Sequence, residues 1–246
     1  MRNIRLVIQY DGTRYKGWQR LGDNDHTIQA KIESVLSKMT GETIEIIGSG
    51  RTDAGVHALG QVTNFRTNSS MSIQEIQDYC YRYLPEDIVI KSVKEAGDKF
   101  HARYNATRKK YIYKIWNHLY HDPFNRKYIT HITEPLNIDL MKEAADALVG
   151  LHDFTSFTTA KSKKKSMVRE IYAIDIMKNG NNIEMLFQGN GFLHNMIRII
   201  VGTLIEVGLG RIEVKEVKAI LHKKDRKAAG ATAPPQGLFL YDVDYK

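Results

Sequence analysis

The chain has 246 residues, 42% of them hydrophobic and 26% charged, with a formal net charge of +8. That length builds a large core in one or two domains, and the excess base favours a polyanionic partner. No run approaches the ~20 apolar residues of a membrane span, and Met1-Arg2-Asn3-Ile4-Arg5 lacks the shape of a signal peptide, so a soluble cytoplasmic protein without a membrane role is expected.

Residues 3–10 set Ile4, Leu6, Ile8 and Tyr10 against Arg5, Val7 and Gln9, the alternation of a half-buried strand. Asp11-Gly12-Thr13 reads as a turn. Residues 27–40 place Ile28, Ile32, Val35, Leu36 and Met39 at helical spacing, with Thr27 as N-cap and Gly41 beyond the end. Strand-like runs at 43–47 and 61–65 flank a glycine-rich stretch. Ser72-Ile73-Gln74-Glu75 has the form of a capping box and opens a helix over 72–84, stopped by Pro85; a strand follows at 87–93. Cys80, the single cysteine, excludes an intramolecular disulfide and reads as a small core residue of that helix.

In the second half a strand over 109–117 precedes a helix over 137–149. Strands at 168–178 and 182–188 are joined by Asn179-Gly180-Asn181, a hairpin signal. Helices over 192–207 and 214–222 and a strand over 237–245 complete the chain. The pattern is α+β, with halves at 1–105 and 106–246.

The glycine-rich stretch is Gly48-Ser49-Gly50-Arg51-Thr52-Asp53-Ala54-Gly55-Val56-His57-Ala58. It sets one carboxylate, Asp53, among small residues on a loop between strands, where a rigid scaffold holds catalytic groups. Asp is also a common turn former, and a local cap or a pair with Arg51 accounts for it without any chemistry.

Two further segments carry candidates. The interior of the expected helix over 192–207 reads Met196-Ile197-Arg198-Ile199-Ile200-Val201-Gly202, apolar almost all round except for one arginine. A buried guanidinium needs an acceptor, since breaking such a pair costs about 3–5 kcal/mol. Asp53 or a substrate phosphate would serve, whereas an arginine at the helix edge would need neither. On the strand over 109–117, Tyr111 and Tyr113 share a face with Ile115; both fit a core, and either fits a stacking platform for a base.

Basic residues gather in three places. The first, residues 99–114, interleaves Lys99, Arg103, Arg108, Lys109, Lys110 and Lys114 with Phe100, Tyr104, Tyr111 and Tyr113. The second is Lys161, Lys163, Lys164 and Lys165 with Arg169; the third is Lys223, Lys224, Arg226 and Lys227. A single charge run is usually a solvated face, but three, with rings interleaved, suit nucleic acid.

These segments together resemble the bacterial tRNA pseudouridine synthase A family along nearly the whole chain. The resemblance is carried by Tyr10-Asp11-Gly12-Thr13 with Gly17-Trp18-Gln19, the Gly48 to Ala58 stretch with Gly60-Gln61-Val62, and Arg108 to Tyr113. Gly150-Leu151-His152-Asp153-Phe154, Gly191-Phe192-Leu193-His194 through Gly202, and Ala233-Pro234-Pro235-Gln236-Gly237-Leu238 complete it. The chain departs from the pattern at Arg20-Leu21 and in the lysines of 161–165, positions expected to touch RNA or a partner subunit rather than the chemistry.

The resemblance implies that Asp53 is the essential aspartate, that Tyr111 packs on the target uracil, and that Arg198 pairs with Asp53. It implies that Arg51 opens the RNA and positions the flipped nucleotide. It further implies a pseudouridine synthase fold, two similar α+β halves with mostly antiparallel sheets meeting at a basic cleft. A homodimer is implied too, acting on uridines 38, 39 and 40 of the tRNA anticodon stem-loop. Such an isomerisation neither gains nor loses atoms, so no cofactor, nucleotide or metal is expected, in keeping with the lack of a P-loop, CxxC or HExxH pattern. A non-catalytic RNA-binding or RNA-chaperone protein is the alternative. A phosphate-cradling loop at Gly48-Ser49-Gly50 is a third reading, against which the missing Gly-Lys-Ser/Thr counts.

Overall fold

Strand β1 (Arg2–Tyr10) buries Ile4, Leu6, Ile8 and Tyr10, as its alternation requires. This computed structural model describes residues 1–22, 26–160 and 166–246; the second lysine cluster, at 161–165, lies outside the described residues. The chain divides into two units, Met1–Thr107 with Phe239–Lys246, and Arg108–Leu238. The C-terminal residues from Phe239 onward thus group with the first unit, although they follow the second in sequence.

In the first unit, β1 is flanked by antiparallel β3 (His57–Thr67) and β4 (Ile88–Ala96), and the short β2 (Ile47–Gly48) adds to β3. Helix α1 (Ile28–Thr40) starts where the Thr27 side chain accepts the Ala30 N–H and ends at Gly41, whose φ of +70° closes the last turn. Helix α2 (Ile73–Tyr83) opens on the Ser72–Glu75 capping box, with both reciprocal bonds formed. The expected strand over 43–47 is reduced to β2. The Ile44 N–H goes to the Ser37 hydroxyl and the Ile46 N–H to the Glu33 carboxylate, so α1 takes the amides that a ladder would need.

In the second unit, β5 (Ala106–Asn117), β9 (Asn182–Gly189), β8 (Val168–Asn179) and β7 (Gly150–Asp153) lie in that order, all antiparallel, and β6 (Thr130–Ile132) adds parallel to β5. Helix α3 (Ile138–Asp146) packs on α4 (Met196–Gly208) and α5 (Val214–Lys223). Strands β6 and β7 were not expected; each is too short for alternation to announce it. The final strand, β10 (Leu238–Tyr245), runs parallel to β3 through Phe239 and Leu240. The architecture is the α+β one expected, with mostly antiparallel strands.

Helix α4 begins four residues later than its apolar run suggests. The His194 carbonyl accepts from the Thr158 hydroxyl and the Thr159 N–H, and Asn195 is left-handed at φ +59°. Those peptides are committed elsewhere, so the helix starts at Met196 and Arg198 falls in its first turn.

Candidate active site

Asp53 sits half-buried on the loop between β2 and β3, and the peptides around it are held from outside the loop. The Trp18 N–H donates to the Thr52 carbonyl (3.0 Å), the Gly55 N–H donates to the Tyr15 carbonyl (3.4 Å), and the Val56 N–H closes back on the Asp53 carbonyl (3.2 Å). The hydroxyls of Tyr10 and Thr52 share a buried hydrogen bond of 2.8 Å. At the entry, Ser49 donates through its N–H to Val62 and through its hydroxyl to Gln61, whose amide donates in turn to the Gly50 carbonyl (2.9 Å). Fixing backbone on both sides of a carboxylate aims the side chain before any substrate arrives.

The clamp is built from the 10–18 segment, and two glycines make it possible. A Cβ on Gly12 would stand 2.0 Å from the Val56 carbonyl oxygen, and one on Gly17, at φ +97°, would stand 2.7 Å from that of Thr52. The two separate sequence motifs are therefore one device: Asp11-Gly12 and Gly17-Trp18 support the Asp53 loop. Inside the loop, Gly48 admits the Trp18 ring, 2.8 Å from a would-be Cβ, and Gly55 takes a left-handed turn at φ +76°. Glycine in this motif thus serves close packing within the protein.

The segment is anchored in turn by Asp87, a residue that sequence patterns did not single out. Its carboxylate accepts from the Tyr15 hydroxyl (2.6 Å) and from Arg14 (2.6 Å), while its carbonyl accepts the Asp11 N–H (2.9 Å). Burial first, then the bond to Asp87, pushes the Tyr15 phenol well above its ordinary range. His57 is buried in the unit; its Nδ1 accepts the Gly12 N–H (3.1 Å) and its ring stacks on Phe239.

Arg51 shares the loop with Asp53. It is exposed, and among the described residues its guanidinium makes no hydrogen bond or ion pair. Arg20, expected to touch RNA or a partner subunit, is exposed and pairs with the buried Glu33 (3.2 Å), whose other carboxylate oxygen accepts the Ile46 N–H.

Tyr111 and Arg198 belong to the second unit. Tyr111 is 8% exposed on β5 and meets the edge of Phe192, with ring centroids 5.3 Å apart. Tyr113, on the same strand face, is wholly buried, and its hydroxyl bonds Thr130 (2.6 Å) and the Pro234 carbonyl (2.8 Å). Burial raises the Tyr113 phenol far above its usual range, with the Thr130 bond and the Arg198 charge acting in the other direction.

Arg198 is half-buried. Its Nε donates to the Ala233 carbonyl (2.7 Å), an Nη donates to the Asn195 side chain (3.0 Å), and its own carbonyl accepts the Ala233 N–H (3.0 Å). The Ala-Pro-Pro motif thus braces both residues: Ala233 holds Arg198 and Pro234 holds Tyr113. Gly202 lets this segment approach α4, since a Cβ there would meet the Ala231 carbonyl oxygen at 1.8 Å. The turn before α4 touches both candidates, Phe192 against Tyr111 and Asn195 against Arg198.

The basic clusters are partly structural. In the third, Lys224 pairs with Asp153 (2.8 Å) and Arg226 donates to the Ala229 and Gly230 carbonyls, while Lys223 and Lys227 face water. In the first, Lys114 pairs with Glu184 (3.3 Å) and Arg108 lies over the Tyr172 ring. Cys80 is buried, and burial pushes its thiol up to about 12, which suits a core residue. Among the described residues no helix is long and apolar enough to cross a membrane, and no cluster of three or more His, Cys, Asp or Glu is placed to hold a metal ion.

The chain is similar to known proteins along its whole length. A family model described as tRNA pseudouridine synthase matches residues 6–105 and 144–246, so Arg51, Asp53 and Arg198 lie in matched segments and Tyr111 lies between them. "tRNA pseudouridine synthase A 2" of Bacillus cereus (strain ZK / E33L) is 54% identical over 245 residues, covering 100% of both chains. "tRNA pseudouridine synthase A 1" of Clostridium tetani (strain Massachusetts / E88) is 50% identical and "tRNA pseudouridine synthase A" of Thermoanaerobacter sp. (strain X514) 48% identical, each again covering 100% of both chains. By that full-length similarity, and with the clamped carboxylate loop inside the matched residues, the chain belongs to the tRNA pseudouridine synthase family, whose members are isomerases.

Proposed function

We propose that the chain converts uridine to pseudouridine at positions 38, 39 and 40 of the tRNA anticodon stem-loop, as a cytoplasmic homodimer, with Asp53 as its essential group. The observation that carries the reading is the Asp53 loop: a half-buried carboxylate whose neighbouring peptides are bonded on both sides by a second motif. A net charge of +8 supports a polyanionic substrate.

In this reading the N1–C1′ bond of the target uridine breaks, the uracil turns, and C5 joins C1′, so atoms balance without a co-reactant. Asp53 acts in its ionised form, either adding covalently or taking a proton from the sugar. Tyr111 holds the detached uracil against its ring, and Phe192 sets the tilt of that ring. Arg198 pairs with Asp53, with its Nε and one Nη already committed to Ala233 and Asn195. Arg51, exposed beside Asp53, takes a backbone phosphate as the nucleotide leaves the stack, a step that costs a few kcal/mol.

Tritium release from tRNA carrying 5-tritiated uridine tests the reaction. The wild-type chain releases tritium and Asp53→Asn does not, while both bind tRNA with similar affinity. Undiminished turnover by Asp53→Asn removes the assignment of the carboxylate. A double-mutant cycle with Asp53→Asn and Arg198→Ala, read on thermal stability, tests the pairing; strictly additive effects rule it out.

A further inference from the structure

Residues 97–105 link β4 to β5 and cross the face of β1 that carries Asn3 and Arg5. Asn3 donates to the Gly97 and Phe100 carbonyls (2.9 Å each), and Asn64 accepts the Ala102 N–H (2.9 Å) while donating to Asn3 (2.9 Å). Arg66 donates to the Asp98 carbonyl (2.6 Å) and the Tyr245 hydroxyl to that of Ala102 (2.7 Å). The Arg5 guanidinium lies over the Phe100 ring at 5.4 Å and the Tyr245 ring at 4.8 Å.

The tip is equally ordered. The His101 N–H donates to Asn105 (2.6 Å), and His101 Nδ1 accepts the N–H groups of both Arg103 and Tyr104 (3.2 Å each). Those two bonds leave Nδ1 without a proton and lock the ring plane. The Tyr104 ring stacks on it with centroids 4.2 Å apart and planes 27° from parallel, yet Tyr104 remains 78% exposed. Lys99 and Arg103 belong to the same loop and are exposed, and among the described residues neither side chain makes a hydrogen bond or ion pair.

Ordering backbone costs about 1–2 kcal/mol per residue, and here that order delivers one aromatic face to water on a loop that also carries two exposed cations. Such a face adds nothing to the core. It has the chemistry of a stacking platform for single-stranded nucleic acid, in which a ring takes a base and cations take the adjoining phosphates. The platform also shares its unit with Asp53: Tyr245 bonds both the loop, at Ala102, and Ser49, which opens the Asp53 loop.

We propose that Tyr104, backed by His101, is a landing face for an unpaired base of the tRNA, with Lys99 and Arg103 on the neighbouring phosphates. This rests on tRNA being the substrate and adds a second nucleotide site, apart from the target uridine. The test measures tRNA affinity and steady-state tritium release for the wild type, Tyr104→Ala, Tyr104→Phe and Arg103→Ala. Tyr104→Ala weakens binding at least about fivefold and raises KM in proportion, with kcat and Tm unchanged, while Tyr104→Phe stays within about twofold of wild type. Arg103→Ala weakens binding and lowers the slope of affinity against salt by about 1. Wild-type affinity in Tyr104→Ala overturns the proposal, as does a Tyr104→Phe variant as weak as Tyr104→Ala. Lost self-association of Tyr104→Ala with unchanged tRNA affinity overturns it in favour of a second copy of the chain. A wild type that binds tRNA but releases no tritium counts against the proposed reaction alone, because the binding comparison stands without it.

Discussion

The Trp18 N–H donates to the carbonyl of Thr52 across 3.0 Å, so the peptide that precedes Asp53 is held by a residue far back in the chain. The contact requires the residue before Trp18 to be glycine, because any side chain on Gly17 points at the same carbonyl. The Asp53 loop is thus stiff for reasons that lie outside it, and consequences follow for substitutions that never touch the carboxylate.

Gly17→Ala combines a disfavoured φ of +97° with a Cβ 2.7 Å from the Thr52 oxygen. The loop must shift to relieve the clash, which displaces Asp53. We expect kcat to fall by about tenfold or more, with tRNA affinity within about twofold of wild type. Single-turnover tritium release separates the two; a variant with normal kcat shows that the clamp does not position Asp53.

The Tyr10 and Thr52 hydroxyls form a buried pair at 2.8 Å. Tyr10→Phe or Thr52→Val each breaks this buried bond, at about 1–3 kcal/mol. The double variant breaks the same bond only once, so its loss is smaller than the sum of the two. Urea unfolding of all four proteins measures the coupling, and simple additivity contradicts it.

Among the Arg198 side-chain bonds, those to Ala233 and to Asn195 need its fork. Arg198→Ala should lose about 1.5–3 kcal/mol, the range for hydrogen bonds to charged groups. Arg198→Lys should recover less than half of that, since an ammonium cannot reproduce the planar geometry. Full rescue by lysine, read by thermal unfolding, shows that charge alone is needed.

Burial raises the phenols of Tyr15, Tyr113 and Tyr245 above their unfolded value. The sign follows from the protonated form being the one favoured by folding. Stability from these groups is complete below the unfolded pKa of about 10 and is lost as pH rises beyond it. In an absorbance titration at alkaline pH, the last tyrosines should ionise together with the loss of secondary structure. Ionisation of every tyrosine before any unfolding contradicts their burial.

Much of the first unit was legible because its signals are local. Thr27 and Gly41 bound α1, Ser72 and Glu75 open α2, and the alternation of β1 reports one buried face; each depends on residues a few positions apart. The strand over 43–47 was misread because the acceptors of its amides, Ser37 and Glu33, sit on a helix that alternation within the strand cannot see. The depth of Arg198 in α4 was misread for a similar reason. The helix start is decided by Thr158 and Thr159, whose bonds occupy the peptide that would otherwise continue it.

For the site, the sequence by itself determined which residues are candidates for chemistry: a carboxylate in a glycine-rich motif, a tyrosine on a strand, and an arginine in an apolar run. Residue type and spacing suffice for that, because reactivity is a property of the side chain. Only the tertiary structure decided what holds each one. Gly12, Gly17 and Asp87 support the Asp53 loop, and Ala233 and Pro234 brace Arg198 and Tyr113. Support of this kind runs through backbone carbonyls and N–H groups, which every residue carries alike. It leaves no mark in the sequence except the glycines that clear the way for it.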